Sequence, residues 1–373
     1  MINNSSLLIA AGGTGGHIFP GIAVAQDWVV HGGDVVFVGT GRAVEENIFQ
    51  KNNVRSHTLS VTGRLKGEGI FSKIKTLLSL PLAFWKAIQI LRQEKPHVVL
   101  GVGGYSSGPV IVAAWFLRIP RTILEPNSLP GLTNKLLAPF ASRIYLSFSE
   151  TEKFFPKKKI LFTGVPVRAS LAALAKHQPC HEHIQIVILG GSLGARSLNE
   201  ACLKALPIWA ASGHVIRVLH QTGAADFERV NEAYEELMNH PEIGPKIMPK
   251  IMVDVRAFVE DMEAALMGAD LVVSRSGAST LAELIESQRP SVLVPYPYAA
   301  DNHQHFNALS VSKMGGAILV EDREIGEKLA SVVLELVTHR QRLGEMREAL
   351  SGLRKVRASE AVVKDLVKLC TPL

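Results

Sequence analysis

The chain has 373 residues, 47% hydrophobic and 20% charged, which is enough apolar material for real cores and excludes an intrinsically disordered chain. At about 150 residues per domain the length predicts two or three domains. The net charge of +6 is uneven: residues 1–165 hold 18 Lys/Arg against 9 Asp/Glu, the rest 22 against 25, so the basic first half points to a phosphate-bearing partner, a nucleic acid or an anionic membrane surface, or else to a solvated face with a local bias.

The N-terminus has no basic region before the short apolar run Leu7-Leu8-Ile9-Ala10-Ala11, so no secretory signal is expected. That run reads as a buried strand, followed by Gly12-Gly13-Thr14-Gly15-Gly16-His17 and a helical pattern. A second strand is expected at 35–38. Residues 64–92 interleave Arg64, Lys66, Lys73, Lys75, Lys86 and Arg92 with large apolar groups such as Phe71, Leu78, Phe84 and Trp85. This fits an amphipathic element on an anionic bilayer, or a helix with one buried and one solvated face. Its most apolar part, 76–85, contains Ser79 and Pro81 and falls short of the ~20 residues of a spanning helix.

Further apolar β-branched runs at 98–100, 122–124 and 144–146 predict strands of a parallel sheet, buried on both faces. Residues 164–168, with Pro166, mark a junction, and the boundary is placed at 165: one domain over 1–165, a second over 166–373. The second half repeats the opening pattern, Ile186-Val187-Ile188-Leu189 leading into Gly190-Gly191-Ser192-Leu193-Gly194, with strands at 214–219, 271–273, 291–294 and 317–320. The last helix, 359–369, belongs to either half. The expected fold class is therefore α/β, two Rossmann-like doubly wound parallel-sheet domains. Three scattered cysteines, Cys180, Cys202 and Cys370, form neither a disulfide framework nor a zinc knuckle and suggest a reducing compartment.

Glycine turns at strand ends let backbone N–H groups approach an anion, and the helix that follows adds about half a positive charge. Four such places occur, at 12–16, 101–108, 190–194 and 276–279, and together they imply more than one phosphate group. None matches G-x-G-x-x-G with an acidic partner or G-x-x-x-x-G-K-[ST], which disfavours a nicotinamide enzyme and a P-loop ATPase. His17 lies in the first turn of a helix, whose dipole disfavours the protonated ring. It suits a general base, or it merely bonds the backbone at a helix start. Glu283, six residues past Gly277, either accepts hydrogen bonds from a ribose diol or faces solvent. Arg168 is either a bidentate phosphate clamp between domains or one arm of a salt bridge. With no D-x-D pair to hold a cation on a diphosphate, no metal and no cofactor is expected. No aromatic-interleaved basic patch supports nucleic acid as a partner.

Several motifs, in order along the chain, carry a resemblance: Gly12 to Pro20, Gly103-Gly104-Tyr105-Ser106-Ser107-Gly108-Pro109, Gly190-Gly191-Ser192, Ser274-Arg275-Ser276-Gly277-Ala278 and Asp301-Asn302-His303-Gln304. With them the chain resembles the MurG family, the UDP-N-acetylglucosamine transferases of bacterial peptidoglycan synthesis. The resemblance implies a GT-B fold whose two domains face a cleft. It implies inverting transfer of N-acetylglucosamine from UDP-N-acetylglucosamine to the C4 hydroxyl of the N-acetylmuramoyl unit of lipid I, giving lipid II. The first domain would face the membrane-borne acceptor at the cytoplasmic side of the bacterial cell membrane, the second would bind the nucleotide sugar, and cell-wall synthesis and division proteins would be partners.

Residue by residue, the resemblance assigns Thr14, Gly15 and Gly16 to donor contact, as it does Asn127 from a Glu-Gln-Asn motif, Arg168 from Asn-Pro-Val-Arg and Ser192. It gives Val259 a backbone contact to uracil, the segment Ala278, Ser279, Thr280, Leu281, Ala282 and Glu283 the phosphate and ribose, and Gln304 the sugar hydroxyls. His17 would be the catalytic base, and Gly103, Gly104, Tyr105 and Ser106 would meet the acceptor diphosphate. Pro126, Val165 and Leu193 depart from the family's Gln, Asn and Gln. Two other readings stand beside this one: a different GT-B enzyme, whether a glycolipid glycosyltransferase or a UDP-N-acetylglucosamine epimerase, and a non-catalytic membrane scaffold.

Overall fold

The computed structural model describes residues 5–13, 15–59, 70–176, 183–191, 194–247, 250–355 and 357–370, with the backbone alone over 70–79. Thr14, Ser192 and Leu193, and Arg64 and Lys66 of the basic stretch, lie outside the described residues, as does Cys180.

Two compact units divide the chain: Met1–Arg168 with Lys355–Leu373, and Ala169–Arg354. The first runs β1 (Ser6–Ala11), α1 (Gly15–Val30), β2 (Asp34–Gly39), α2 (Ala43–Lys51), β3 (Arg55–Thr58), α3 (Ile70–Glu94), β4 (Val98–Gly103), α4 (Ser107–Phe116), β5 (Arg121–Glu125), α5 (Leu132–Leu137), β6 (Arg143–Leu146) and β7 (Ile160–Phe162). The second runs α6 (Ala169–Leu174), β8 (Ile184–Leu189), α7 (Arg196–Ala211), β9 (Ile216–Gln221), α8 (Phe227–Asn239), α9 (Gly244–Ile247), β10 (Ile251–Arg256), α10 (Met262–Gly268), β11 (Leu271–Ser274), α11 (Ala278–Ser287), β12 (Ser291–Leu293), α12 (His303–Lys313), β13 (Ala317–Leu319), α13 (Ile325–Thr338) and α14 (Arg340–Leu353). The chain ends in α15 (Ala358–Cys370).

Among the described residues the first unit has a seven-stranded sheet ordered β3-β2-β1-β4-β5-β6-β7 and the second a six-stranded sheet ordered β10-β9-β8-β11-β12-β13. Pairing is parallel throughout both. In each sheet the chain starts near the middle, moves one way, then crosses back, so the order reverses between β1 and β4 and again between β8 and β11. Ligands of doubly wound folds bind beyond the strand ends at such reversals. All four glycine loops leave strands that flank them: Ala11 pairs with Gly103, and Leu189 with Ser274.

The central strands are buried along nearly their whole length, as the apolar runs predict. The first unit carries a core on each face of its sheet. One is built around Leu8, Val99 and Ile111, the other around Ile9, Phe37, Leu100 and Trp28. The latter also takes in Val362, Val363 and Leu366 of α15. The first unit runs to Arg168, close to the expected boundary, and the terminal helix, which the sequence leaves open to either half, packs on α1 and adds its apolar stripe to that core. The second unit has its own core, with Ile188, Leu198, Trp209 and Val273 among its members. Among the described residues no helix is long and apolar enough to cross a membrane.

Candidate active site

In the first unit, β1 ends at Ala11 and the chain turns through Gly12 and Gly13, the latter at φ 105°, before α1 begins at Gly15. His17 thus falls in the first turn of α1, and its Nδ1 lies 3.1 Å from the carbonyl oxygen of Val102 near the end of β4. A carbonyl only accepts, so Nδ1 carries the proton of the neutral ring and Nε2 is the basic nitrogen. Gly103 makes room for this contact: at φ 106° a Cβ there would stand 2.9 Å from the His17 Nδ1. Gly104, at φ 78°, packs against the first loop so closely that a Cβ would meet the Gly12 oxygen at 2.1 Å.

The loop after β4 is pinned by Ser107, whose hydroxyl lies 2.8 Å from the Ala10 oxygen and accepts from the Gly103 N–H at 3.0 Å. Ser106 precedes α4, fully buried, and its hydroxyl has no hydrogen-bond partner among the described residues. Tyr105 lies beside it, half-buried.

Asn127 follows β5, the neighbour of β4. Its backbone N–H and side-chain amide donate to one oxygen of Glu125 at 3.0 and 3.1 Å. The other oxygen accepts from Gly131 N–H at 3.0 Å and Asn134 at 2.9 Å. Burial raises the Glu125 carboxyl above its ordinary pKa, against the pull of those bonds. Pro126 sits between them without an N–H to place, so the departure from the family's motif leaves this arrangement closed. Arg168 is exposed at the end of the first unit.

In the second unit the loop after β8 turns at Gly191 and Gly194, both at φ 79°. A Cβ on Gly194 would meet the Thr222 oxygen at 2.5 Å. The loop after β11 leads through Ser276 to Gly277, which precedes α11. The amides of Ala278, Ser279 and Thr280 form the first turn of that helix, where N–H groups have no partner within the helix. Leu281 is buried, and Ala282 and Glu283 half-buried, on the next turn. The Ser276 hydroxyl donates to the Gln304 carbonyl at 2.8 Å, which brings α12 to the start of α11. The Gln304 side-chain oxygen accepts from Tyr296 N–H at 3.0 Å. Arg275 ties the same region down through Asp322 at 2.5 Å and Ser197 at 2.9 Å.

The structure therefore gathers His17, Gly15, Gly16, Gly103, Gly104 and Ser106 at one sheet reversal, and Gly190, Gly191, Gly194, the segment 278–283 and Gln304 at the other. Two side chains that hold these loops escaped the sequence reading. Gln221, at the end of β9, donates to the Gly191 carbonyl at 3.0 Å and accepts from Val259 N–H at 3.2 Å, so the expected base-reading residue is linked to the second glycine loop. Glu45, in the first turn of α2, accepts from Gly13 N–H at 2.6 Å. Neither sits in a motif; the only available signal was a polar residue at the end of an apolar strand, or just beyond one. Among the described residues no group of three or more His, Cys, Asp or Glu is placed to hold a metal ion.

Residues 7–146 match the glycosyltransferase family 28 N-terminal domain, and residues 185–362 match the C-terminal domain of the same family. The chain belongs to glycosyltransferase family 28. Two curated relatives carry the name UDP-N-acetylglucosamine–N-acetylmuramyl-(pentapeptide) pyrophosphoryl-undecaprenol N-acetylglucosamine transferase. The one from Myxococcus xanthus is 40% identical over 98% of this chain and 92% of its own length. The one from an Anaeromyxobacter species is 41% identical over 98% and 93%. The crystal structure of Acinetobacter baumannii MurG superposes with a TM-score of 0.77 at 29% identity, covering 98% of this chain and 99% of that one. This family 28 enzyme is thus a hexosyltransferase of GT-B fold, as its resemblance implied.

Proposed function

We propose that this enzyme moves N-acetylglucosamine from UDP-N-acetylglucosamine to the C4 hydroxyl of the N-acetylmuramoyl unit of lipid I, in one inverting displacement. The new bond forms between that hydroxyl oxygen and C1 of the sugar as the bond from C1 to the UDP oxygen breaks. Nε2 of His17 takes the hydroxyl proton. The observation that carries this reading is the contact between His17 Nδ1 and the Val102 oxygen, which gives a neutral imidazole at a sheet reversal the tautomer of a base. The helix start at 278–280 meets the diphosphate, with Arg168 and Ser192 as further donors, so charge on departing UDP is stabilised as it grows. Glu283 takes the ribose, Val259 the uracil and Gln304 the sugar hydroxyls. Asn127, Thr14, Gly15 and Gly16 complete the donor contacts. The acceptor's diphosphate meets Gly103, Gly104, Tyr105 and Ser106, a reading supported by the buried, unbonded Ser106 hydroxyl.

The first unit docks on the anionic face of the cell membrane. Leu82, Trp85, Trp115 and Phe116 expose between 47% and 75% of their surface, with Lys86, Arg92 and Arg118 exposed on the same two helices and their ends. Together they offer apolar anchors and cations to lipid. The deciding experiment measures UDP release with lipid I in anionic and in neutral vesicles. Release that requires lipid I, and is faster on anionic vesicles, is the expected result. Release independent of lipid I, with label staying in a free sugar, would favour an epimerase.

A further inference from the structure

We propose that Glu45 is a positioning residue for this reaction: its carboxylate is a built-in anion that holds the first glycine loop, and so sets where α1 begins and where the His17 ring stands. The proposal rests on the reading of His17 as the base. Glu45 is fully buried and its two oxygens accept four hydrogen bonds. One takes Gly13 N–H at 2.6 Å and the Thr40 hydroxyl at 2.5 Å; the other takes Thr40 N–H at 2.6 Å and Gly41 N–H at 3.2 Å.

Thr40 and Gly41 lie just ahead of α2, and a carboxylate in a helix's first turn commonly reaches back to such groups. Gly13 does not belong to that set. It lies 32 residues earlier, on the loop between β1 and α1. Glycines clear the path: a Cβ on Gly39 would stand 2.7 Å from one Glu45 oxygen, and one on Gly12 would stand 3.4 Å from the other. The segment that carries the imidazole is thus clamped twice, through Gly13 N–H to Glu45 and through His17 Nδ1–H to the Val102 oxygen. The second bond holds the ring at one nitrogen. The first fixes the backbone from which the ring projects.

Glu45→Gln keeps the size of the side chain but turns an NH2 group toward N–H donors. A loop displaced by an ångström costs on the order of 10²-fold in rate, so kcat is expected to fall by about 10- to 100-fold, while UDP-N-acetylglucosamine affinity measured by calorimetry, which the proposed site draws mainly from the second unit, falls far less than kcat. Because Glu45 acts through His17, the same change made in a His17→Ala background is expected to cost little more. A purely structural role would instead lower the melting temperature and cut kcat by the same factor in either background. A folded Glu45→Gln enzyme with wild-type kcat overturns the proposal, as does a loss that multiplies in full onto that of His17→Ala. Full turnover by His17→Ala with normal Glu45 removes the base itself, and that failure is read in the single variant. Should Glu45→Gln not fold, Thr40→Val, which deletes one donor to the same carboxylate, is expected to lower kcat with donor affinity intact, and an unchanged kcat there overturns the proposal.

Discussion

In the first unit the glycine loop after the opening strand is held through a donor, Gly13 N–H, by a carboxylate of the chain itself. In the second, the equivalent loop is held through an acceptor, the Gly191 carbonyl, by the amide of Gln221. The two loops look alike in sequence, and both leave the central strand of a doubly wound sheet. Yet the first has an internal anion behind it, which occupies one of its amides and repels a second negative charge, whereas the second keeps its Gly191 N–H out of the bond that anchors it. One fold has been adapted twice. In the proposed reaction the first copy places a histidine, and the second presents helix and loop amides to a diphosphate. Of the first half's described cations, Lys51, Lys86 and Arg92 lie on α2 and α3 and Arg55, Arg121 and Arg143 on β3, β5 and β6, none of them on the glycine loop.

The largest expected effect follows from the base. His17→Ala should lower kcat by about 10²- to 10⁴-fold, the range of general base catalysis, and leave calorimetric binding of UDP-N-acetylglucosamine unaltered. Loss of donor affinity comparable to the loss of rate would mean that His17 acts by holding the donor and not as a base, and the contrast between the two copies would collapse.

How much of this was legible beforehand depends on burial. The inner strands β2, β4, β5, β6, β11 and β12 announce themselves as apolar runs because both their faces are covered, and the edge strand β13 does so through Ala317-Ile318-Leu319. The strands missed, β3, β7 and β10, form one edge of the second sheet and both edges of the first. There one side is solvated, and Arg55-Ser56-His57-Thr58 carries no apolar signal at all. The site divided along a similar line. His17 and Glu283 stand beside glycine turns and Gln304 in a motif that carries the resemblance, so the sequence offers them as candidates. Gln221 reaches from the end of β9 and Glu45 from the first turn of α2 to a loop far away in the chain, and no local spacing encodes such a contact. The destination of α15 escaped for the same reason: its apolar stripe suits either core, and only packing against α1 decides.

A second test separates the units by acid stability. His220 is buried in the second unit, between the Tyr234 hydroxyl at 2.9 Å and the Asn199 side-chain oxygen at 3.0 Å, and burial pushes its pKa down to about 4 against the opposing charge of Asp226. An unfolded histidine titrates near ~6.5. Between those values the unfolded chain binds a proton that the folded chain refuses, so stability falls as pH drops through that window, by about 2 kcal/mol at pH 5. Glu125 in the first unit works the other way. Its raised carboxyl pKa lets the folded state keep a proton the unfolded state has released, so its contribution improves on acidification. Urea unfolding followed unit by unit with hydrogen-exchange mass spectrometry should therefore show α7 and β9 losing protection ahead of β1 and β4 at pH 5, and His220→Gln should narrow the gap. First-unit strands opening earlier at pH 5 would reverse the assignment.

The smallest effect sharpens the comparison most. Gln221→Leu removes both the donor to the Gly191 carbonyl and the acceptor of Val259 N–H without emptying the space. Leaving a buried polar group unpaired costs about 1–3 kcal/mol, but both partners lie in loops that can turn toward water, so the net expectation is the low end, a roughly tenfold rise in KM for UDP-N-acetylglucosamine. The rate at saturating donor should hold, because the two groups Gln221 fixes are proposed to meet parts of the nucleotide that change little between ground and transition states. Gln221→Glu separates the two bonds: a carboxylate still accepts from Val259 but sets a negative oxygen against the Gly191 carbonyl, beside a site proposed for a diphosphate, and should raise KM further than leucine does. A fall in kcat at constant KM would place the second loop's contribution in the transition state. The two glycine loops would then differ in how they are tethered but not in what they do.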